Sequence, residues 1–208
     1  MLLDRLLPGS CPVCGAPGAA PCAACWQQLR PAPAVPPPSN VDACRSLLLY
    51  DGAGRELVAR LKYANARSSV AWLADGMADL AADLVSDATV VTWAPTTAAR
   101  RRERGFDQAE ILARAVARRL RLRPAPLIRR LPGPPQTALG AADRAGVAFG
   151  PASRSRVAEM VLLVDDVVTT GSTLAAAAAC LRSRGVAAVA AVTAARTPLK
   201  VAAPGADA

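Results

Sequence analysis

Apolar residues along the chain form short continuous runs that alternate with helical stripes. The runs predict strands at residues 46–50, 89–93, 127–128, 161–164 and 188–194. Between them, apolar positions at helical spacing predict helices over 52–63, 68–85 and 174–184, and a further helix after the strand 89–93 that ends at residue 123. The run 161–164 is entirely apolar, as expected of a central parallel strand covered on both faces. We therefore expect an α/β domain with an open parallel sheet flanked by helices.

Proline and cysteine divide the chain before this domain begins. Residues 31–40 hold five prolines and are therefore neither helix nor central strand. We interpret them as a stiff linker between a small module over 1–30 and the main domain over 41–198, with 199–208 as a flexible tail. A chain of 208 residues is long enough for one main domain and such an appendage.

Basic residues are concentrated in one part of the chain. Residues 100–156 hold fourteen arginines against four acidic residues, whereas the rest of the chain is close to neutral. No apolar run approaches the roughly 18 residues that a membrane-spanning helix needs. The N-terminus also fails as a lipoprotein signal, because Asp4 and Arg5 interrupt its short apolar stretch. We expect a cytoplasmic protein without membrane insertion and with reduced thiols.

Four cysteines near the N-terminus have the spacing of a metal site. Two C-x2-C pairs, seven residues apart, are formed by Cys11, Cys14, Cys22 and Cys25. Such pairs bring four thiolates to the tetrahedron that Zn²⁺ prefers, and a site closed by four cysteines is structural. Redox-active or incidental cysteines are the alternative. Cys44 and Cys180 lie outside the pattern.

The candidate ligand site follows the most apolar strand. Asp165 and Asp166 end that run, and two adjacent carboxylates are unfavourable to bury without a partner. The residues after them offer hydroxyl groups, one glycine and the N–H groups of a helix start, which together suit an anion: Thr169, Thr170, Gly171, Ser172 and Thr173. The alternative is an ordinary strand-to-helix turn.

A second candidate site follows the strand predicted at 89–93. Four arginines precede Gly105 in what we expect to be a cationic loop: Arg100, Arg101, Arg102 and Arg104. Guanidinium groups at a strand-to-helix junction suit bidentate contacts to phosphate, and a solvated basic loop is the alternative. Arg114, Arg118 and Arg121 on the next helix form either a solvated face or a track for nucleic acid.

The segment VLLVDDVVTTGST at residues 161–173 resembles the 5-phosphoribosyl 1-pyrophosphate (PRPP) signature of type I phosphoribosyltransferases. The resemblance implies that Asp165 and Asp166 bind the ribose hydroxyls and that residues 169–173 bind the 5-phosphate. It also places Arg104 and Gly105 in the pyrophosphate loop. Hypoxanthine-guanine enzymes have a general-base Asp where this chain has Thr169, so a 6-oxopurine acceptor is disfavoured.

The ordered set of motifs resembles the ComF family of competence-related proteins. The set comprises the four cysteines, LK at 61–62, RRRERGFDQA at 100–109, QTAL at 136–139 and the segment 161–173. The resemblance implies a type I phosphoribosyltransferase fold with an N-terminal zinc-ribbon-like module, and it is the reason to consider Lys62 a possible site contact. Two features depart from the family: Asp107 stands where Asn is usual, and the segment 144–149 is shortened.

Two functions follow from this resemblance. One is a protein that binds PRPP with Mg²⁺ and takes part in DNA uptake or processing, with single-stranded DNA and a DNA-uptake helicase or other competence proteins as partners. The other is an active phosphoribosyltransferase with catalytic Asp165 and Asp166 and an unidentified acceptor. A zinc-stabilised partner of a helicase or nuclease is a third interpretation.

Overall fold

The fold was analysed in a computed structural model that describes residues 10–17, 21–62, 67–132, 148–152 and 158–198. Its elements alternate between strand and helix over most of the chain. In chain order they are α1 (Ala23–Trp26), β1 (Ala43–Leu49), α2 (Gly52–Ala59), α3 (Arg67–Ala81), β2 (Val90–Trp93), α4 (Ala98–Arg104), α5 (Gln108–Leu120), β3 (Arg123–Pro124), β4 (Ile128–Arg130), β5 (Phe149–Pro151), β6 (Met160–Val168), α6 (Ser172–Arg182) and β7 (Ala188–Arg196). Short 3-10 helices at Arg60–Lys62 and Ala82–Leu84 follow α2 and α3.

Five parallel strands form the main sheet in the order β1-β7-β6-β2-β3. Strand β6 is central, with Val164 in register with Trp93 of β2 on one side and with Val192 of β7 on the other. Parallel sheets need cover on both faces, which explains why the first residues of β6 are apolar without alternation. The predicted parallel sheet flanked by helices is confirmed.

The two faces of the sheet are covered by different helices, and each face has its own core. Leu162 and Val164 point to the face that packs against α3 and α5, where Leu73 and Leu112 are fully buried. Val161 and Leu163 point to the opposite face, which packs against α6 and the β4–β5 hairpin. Alternation along one strand thus supplies both cores, because successive side chains point to opposite faces.

The arginine-rich segment before Gly105 is helical, so the predicted loop conformation is wrong. Helix α4 begins after Thr97, whose Oγ1 accepts a hydrogen bond of 3.2 Å from the Arg100 N–H. It ends at Gly105, which has a left-handed φ of 78° that favours glycine. A threonine N-cap and a glycine C-cap enclose one short helix, and the arginines therefore lie at fixed positions on it.

Other boundaries differ because pairing extends or ends the elements. β6 continues to Val168, since its last residues still pair with β7. Helix α5 ends at Leu120, because Arg121 takes a left-handed φ of 57°. Strands β4 and β5 form an antiparallel pair after the start of the strand predicted at 127–128, whereas residues 133–147, which include QTAL at 136–139, lie outside the described residues.

The Pro-rich segment lies against the edge of the sheet. The Leu49 N–H donates to the Arg30 carbonyl at 2.8 Å, and the Ala32 N–H donates to the Leu47 carbonyl at 3.1 Å. These bonds occupy backbone groups of β1, an edge strand that would otherwise expose them. At the far end of the segment, Pro38 contacts the turn after β6, so the segment joins the N-terminal module to the sheet along its edge.

Within the described part of the chain, none of the helices has the length and apolar character that a bilayer span requires.

Candidate functional site

The candidate site lies where two neighbouring strands send the chain to opposite faces of the sheet. β2 and β6 are adjacent and parallel, so their carboxyl ends meet at one edge. After β2 the chain continues into α4 and then α5, which packs on one face, whereas after β6 it continues into α6 on the other face. Open α/β sheets bind ligands in the crevice that such a switch creates.

A polar cavity of about 180 Å³ occupies this crevice. Predicted residues from both candidate sites line it: Arg100, Arg104, Asp165, Asp166 and Thr173. The cavity also takes in Thr96, Asp107, Gln108 and Arg130, none of which was predicted as a site residue. The fold thus brings the cationic segment and the acidic pair, more than sixty residues apart in the chain, to one opening.

The two acidic residues have different environments. Asp165 is buried, and its Oδ1 accepts a hydrogen bond of 2.9 Å from the Asp166 N–H. Burial is the main cause that raises the pKa of Asp165 well above its usual value, and the neighbouring Asp166 carboxylate raises it further. Asp166 is half-buried and accepts a hydrogen bond of 2.7 Å from the Val167 N–H. Ionised Asp165 is therefore unfavourable in the folded protein, and a polar ligand that donates hydrogen bonds at the cavity would stabilise it.

The turn between β6 and α6 forms a second, smaller cavity of about 20 Å³ beside the first. Thr169, Gly171, Ser172 and Thr173 line it together with Asp165. The first N–H groups of α6 have no acceptor within the helix and are available to an anion. Thr170 does not line either cavity; its hydroxyl donates to the Ser172 Oγ at 3.1 Å.

Gly171 is required at the centre of this turn for two reasons. Its φ is 81°, a left-handed value that other residues rarely adopt, and a Cβ there would lie 2.7 Å from Cγ of Pro38. The glycine lets the backbone of the turn approach the Pro-rich segment, which supports the turn from behind.

The four predicted arginines of α4 do not all reach the cavity. Arg100 and Arg104 line it, whereas Arg101 and Arg102 do not, and Arg101 forms an ion pair of 3.4 Å with Glu110. Gly105 caps α4 and does not line the cavity. Helical spacing explains the division, since residues four apart lie on one face of a helix.

Asp107 was missed as a site residue, although its sequence signal is recognisable. Its carboxylate accepts hydrogen bonds from the N–H groups of Thr96 at 2.8 Å and Ala109 at 3.1 Å, and so links the end of β2 to the start of α5. Burial raises its pKa, although these hydrogen bonds oppose the shift. An Asp three residues before Glu110 is an N-terminal capping pattern, which could have identified this position.

Gln108 and Arg130 had no comparable signal. Gln108 is buried beside the cavity, and its Nε2 has no hydrogen-bond partner among the described residues. Arg130 ends β4, two residues beyond the strand predicted at 127–128. Lys62 ends the 3-10 helix after α2, and its role at the site stays a prediction.

The four N-terminal cysteines are arranged so that they could hold a metal ion. Their sulfurs all lie within 4.8 Å of one another, and Cys14 Sγ and Cys22 Sγ are 3.8 Å apart. Ligands about 2.3 Å from a tetrahedral zinc lie about 3.8 Å apart, so the cluster fits that ion. The Cys22 N–H donates to Cys11 Sγ at 3.3 Å. Burial disfavours the Cys11 thiolate, but hydrogen bonds from backbone N–H groups outweigh it and lower its pKa to about 6.

The cysteine module packs on the main domain. Trp26 of α1 meets Trp72 of α3 edge to face, with ring centroids 5.8 Å apart. Val13 and Leu29 pack against the core beneath α3 and α5. These apolar contacts therefore link the folding of the cysteine module to the stability of the main domain.

Comparison with known families gives one match. Residues 107–207, which are 101 of the 208 residues, match the phosphoribosyl transferase domain. No curated protein matched the chain. The match spans α5, the acidic pair and the turn after β6, and it agrees with the parallel sheet flanked by helices. The match covers slightly less than half of the chain, and together with the parallel sheet it supports a type I phosphoribosyltransferase fold.

We predict about one zinc ion per chain in the purified protein. Cys25→Ser should lower the zinc content well below one and reduce the midpoint of thermal unfolding, because a structural site contributes its binding free energy to folding. Metal analysis and calorimetry measure the two effects. Cys44→Ser and Cys180→Ser, outside the cluster, serve as controls that should keep the metal. Purified wild-type protein that contains much less than one zinc ion per chain, with the four thiols of the cluster freely titratable, would contradict the prediction.

We predict that Asp165→Asn stabilises the fold at high pH. A pKa raised by folding means that ionised Asp165 destabilises the native state, and this penalty grows as pH rises from the unfolded pKa of about 4 through the folded value. The gain in the free energy of unfolding should be small at about pH 4 and larger at about pH 8.

Denaturant unfolding at the two pH values measures this gain. Asp83→Asn provides a control of opposite sign, since the Arg45 guanidinium lowers the pKa of Asp83 and its charge stabilises the fold above that pKa. The Asp83 variant should lose stability at high pH. A loss of stability in the Asp165 variant at high pH would refute the prediction.

Proposed function

We propose that this protein binds PRPP together with Mg²⁺ in the polar cavity and takes part in DNA uptake or processing. The observation that carries the first part is the meeting of Arg100 and Arg104 with Asp165 and Asp166 around one opening. Cations suit the diphosphate, and carboxylates suit the ribose hydroxyls. A ligand that carries both groups, with a third phosphate for the adjacent turn, has the chemistry of PRPP.

Each group of PRPP is assigned to a separate element of the site. The 5-phosphate binds the turn 169–173, where hydroxyl groups and helix N–H groups converge. The ribose 2- and 3-hydroxyls donate to Asp165 and Asp166. The diphosphate binds Arg104 and Arg100 of α4. When bound with the diphosphate, Mg²⁺ would reduce its negative charge.

The alternative within the same site is catalytic transfer of the phosphoribosyl group. The acceptor would form a bond to C1 of the ribose while the bond from C1 to the diphosphate oxygen breaks, and the electron pair leaves with the diphosphate. Arg100 and Arg104 stabilise the charge that collects on this leaving group, so positioned cations supply the catalysis. Thr169 disfavours a 6-oxopurine acceptor. Measured release of pyrophosphate from PRPP with a panel of bases distinguishes transfer from binding alone.

The DNA-related role is supported by the ordered motifs that resemble the ComF family and by exposed arginines. Arg102, Arg118, Arg121 and Arg123 are exposed and form no ion pair among the residues that the structure describes. Arg114, expected on the same track, instead pairs with Glu110 at 2.9 Å and lies over the Trp93 ring. These four arginines are the proposed DNA contacts.

We predict that Mg²⁺ and PRPP together bind with a stoichiometry of about one per chain in a calorimetric titration. Asp165→Ala and Arg104→Ala should weaken binding by about 10-fold or more, since each removes hydrogen bonds to or from a charged group. Arg102→Ala, on the same helix but outside the cavity, should cause a smaller loss than Arg104→Ala. Failure of the wild-type protein to bind PRPP would reject the proposal.

We also predict that single-stranded DNA binding depends steeply on salt. Four phosphate contacts correspond to a loss of affinity of about 50-fold between about 50 and about 200 mM salt, and the double variant Arg118→Ala/Arg121→Ala should reduce the slope by about 1.4. Fluorescence anisotropy at several salt concentrations measures the slope. Arg55→Ala, an exposed arginine on α2, should leave it unchanged. Affinity independent of salt would argue against a DNA surface.

A further inference from the structure

Arg130 enters the polar cavity from an element that the proposed PRPP site does not otherwise use. It lies on β4 of the β4–β5 hairpin, which packs on the α6 face of the sheet. Along β4, Ile128 is buried, Arg129 is exposed and Arg130 is half-buried, as expected when successive side chains point to opposite faces. Strand alternation therefore directs the second of two adjacent arginines toward the fold, where it lines the cavity.

The surroundings of Arg130 suit a bound anion. Its guanidinium lies 5.8 Å from the centroid of Phe149, its cross-strand partner, which holds the side chain over the ring. Among the described residues it forms no ion pair. Burial lowers the pKa of Arg130, and the Arg100 guanidinium lowers it further, while Asp165 and Asp107 oppose the shift. A partly buried cation next to another cation is stabilised when an anion lies between them.

We infer that Arg130 is a diphosphate ligand, so that α4 and the β4–β5 hairpin hold this group from two separate elements. The inference rests on the proposed binding of PRPP and adds a residue to it. In the transfer reaction Arg130 would be a third cation on the leaving group, beside Arg100 and Arg104.

The positions of the two cavities indicate that Arg130 would bind the diphosphate of PRPP and not its 5-phosphate. Arg130 lines the larger cavity with Arg100 and Arg104, and it does not line the smaller cavity formed by the turn after β6. Its effect should therefore be specific to ligands that carry a diphosphate. A residue that only stabilised the hairpin would affect all ligands of the site alike.

Titrations of the full-length protein with three ligands test this specificity: PRPP with Mg²⁺, inorganic pyrophosphate with Mg²⁺, and ribose 5-phosphate. Arg130→Ala should weaken binding of the first two by about 10-fold or more, and of ribose 5-phosphate by less than about 2-fold. Arg130→Lys keeps the charge without the planar fork, and it should recover part of the loss.

Arg129→Ala is the matched control. It removes the same charge from the adjacent position, and it also removes a hydrogen bond of 3.2 Å from the Arg129 Nε to the Pro151 carbonyl across the hairpin. Each alanine variant therefore removes one contact across the hairpin, yet for Arg129→Ala we expect all three affinities to stay within about 2-fold of wild type.

The outcomes separate this inference from the proposal on which it rests. Equal losses for the two alanine variants, or equal losses of Arg130→Ala for all three ligands, would overturn a role in diphosphate binding. Wild-type affinity of Arg130→Ala for PRPP would overturn the inference and leave PRPP binding intact. Absence of PRPP binding by the wild-type protein would overturn both.

Discussion

The arrangement of the site depends on a carboxylate buried near the carboxyl end of the central strand. Asp165 follows four fully buried residues of β6, so the pairing that builds the sheet also takes this side chain out of water. Its raised pKa reflects that cost, and the adjacent Asp166 adds to it. Arg100 and Arg104 of α4 line the same cavity. The acidic pair and these two arginines therefore form one polar cluster at the ends of two strands.

Several parts of the chain hold this cluster in place. Asp107 joins the end of β2 to the start of α5, and Thr97 and Gly105 set the length of α4. On the other side, Pro38 lies directly behind Gly171, so the segment that leads out of the cysteine module supports the turn after β6. The N-terminal module is thus connected to the site through the edge of the sheet, in addition to its aromatic contact with α3.

Sequence reasoning succeeded where the signal was local. The apolar run of β6, the acidic pair, the turn with Gly171 and the spacing of the four cysteines each depend on residues within a short stretch, and the structure places them as strand, turn and sulfur cluster. It was wrong about the conformation of the arginine segment, because a cluster of like charges indicated a loop, whereas the caps at Thr97 and Gly105 make it a helix.

The sequence by itself determined the order of the elements, the burial of β6 and the chemistry available at the ends of two strands. Tertiary structure alone decided which of those groups meet. Helical geometry selected Arg100 and Arg104 over Arg101 and Arg102, and the hairpin added Arg130, which pairs across strands with Phe149. The physical reason is that local periodicity specifies how a side chain points within its own element, whereas proximity between elements depends on the register and packing of the whole sheet.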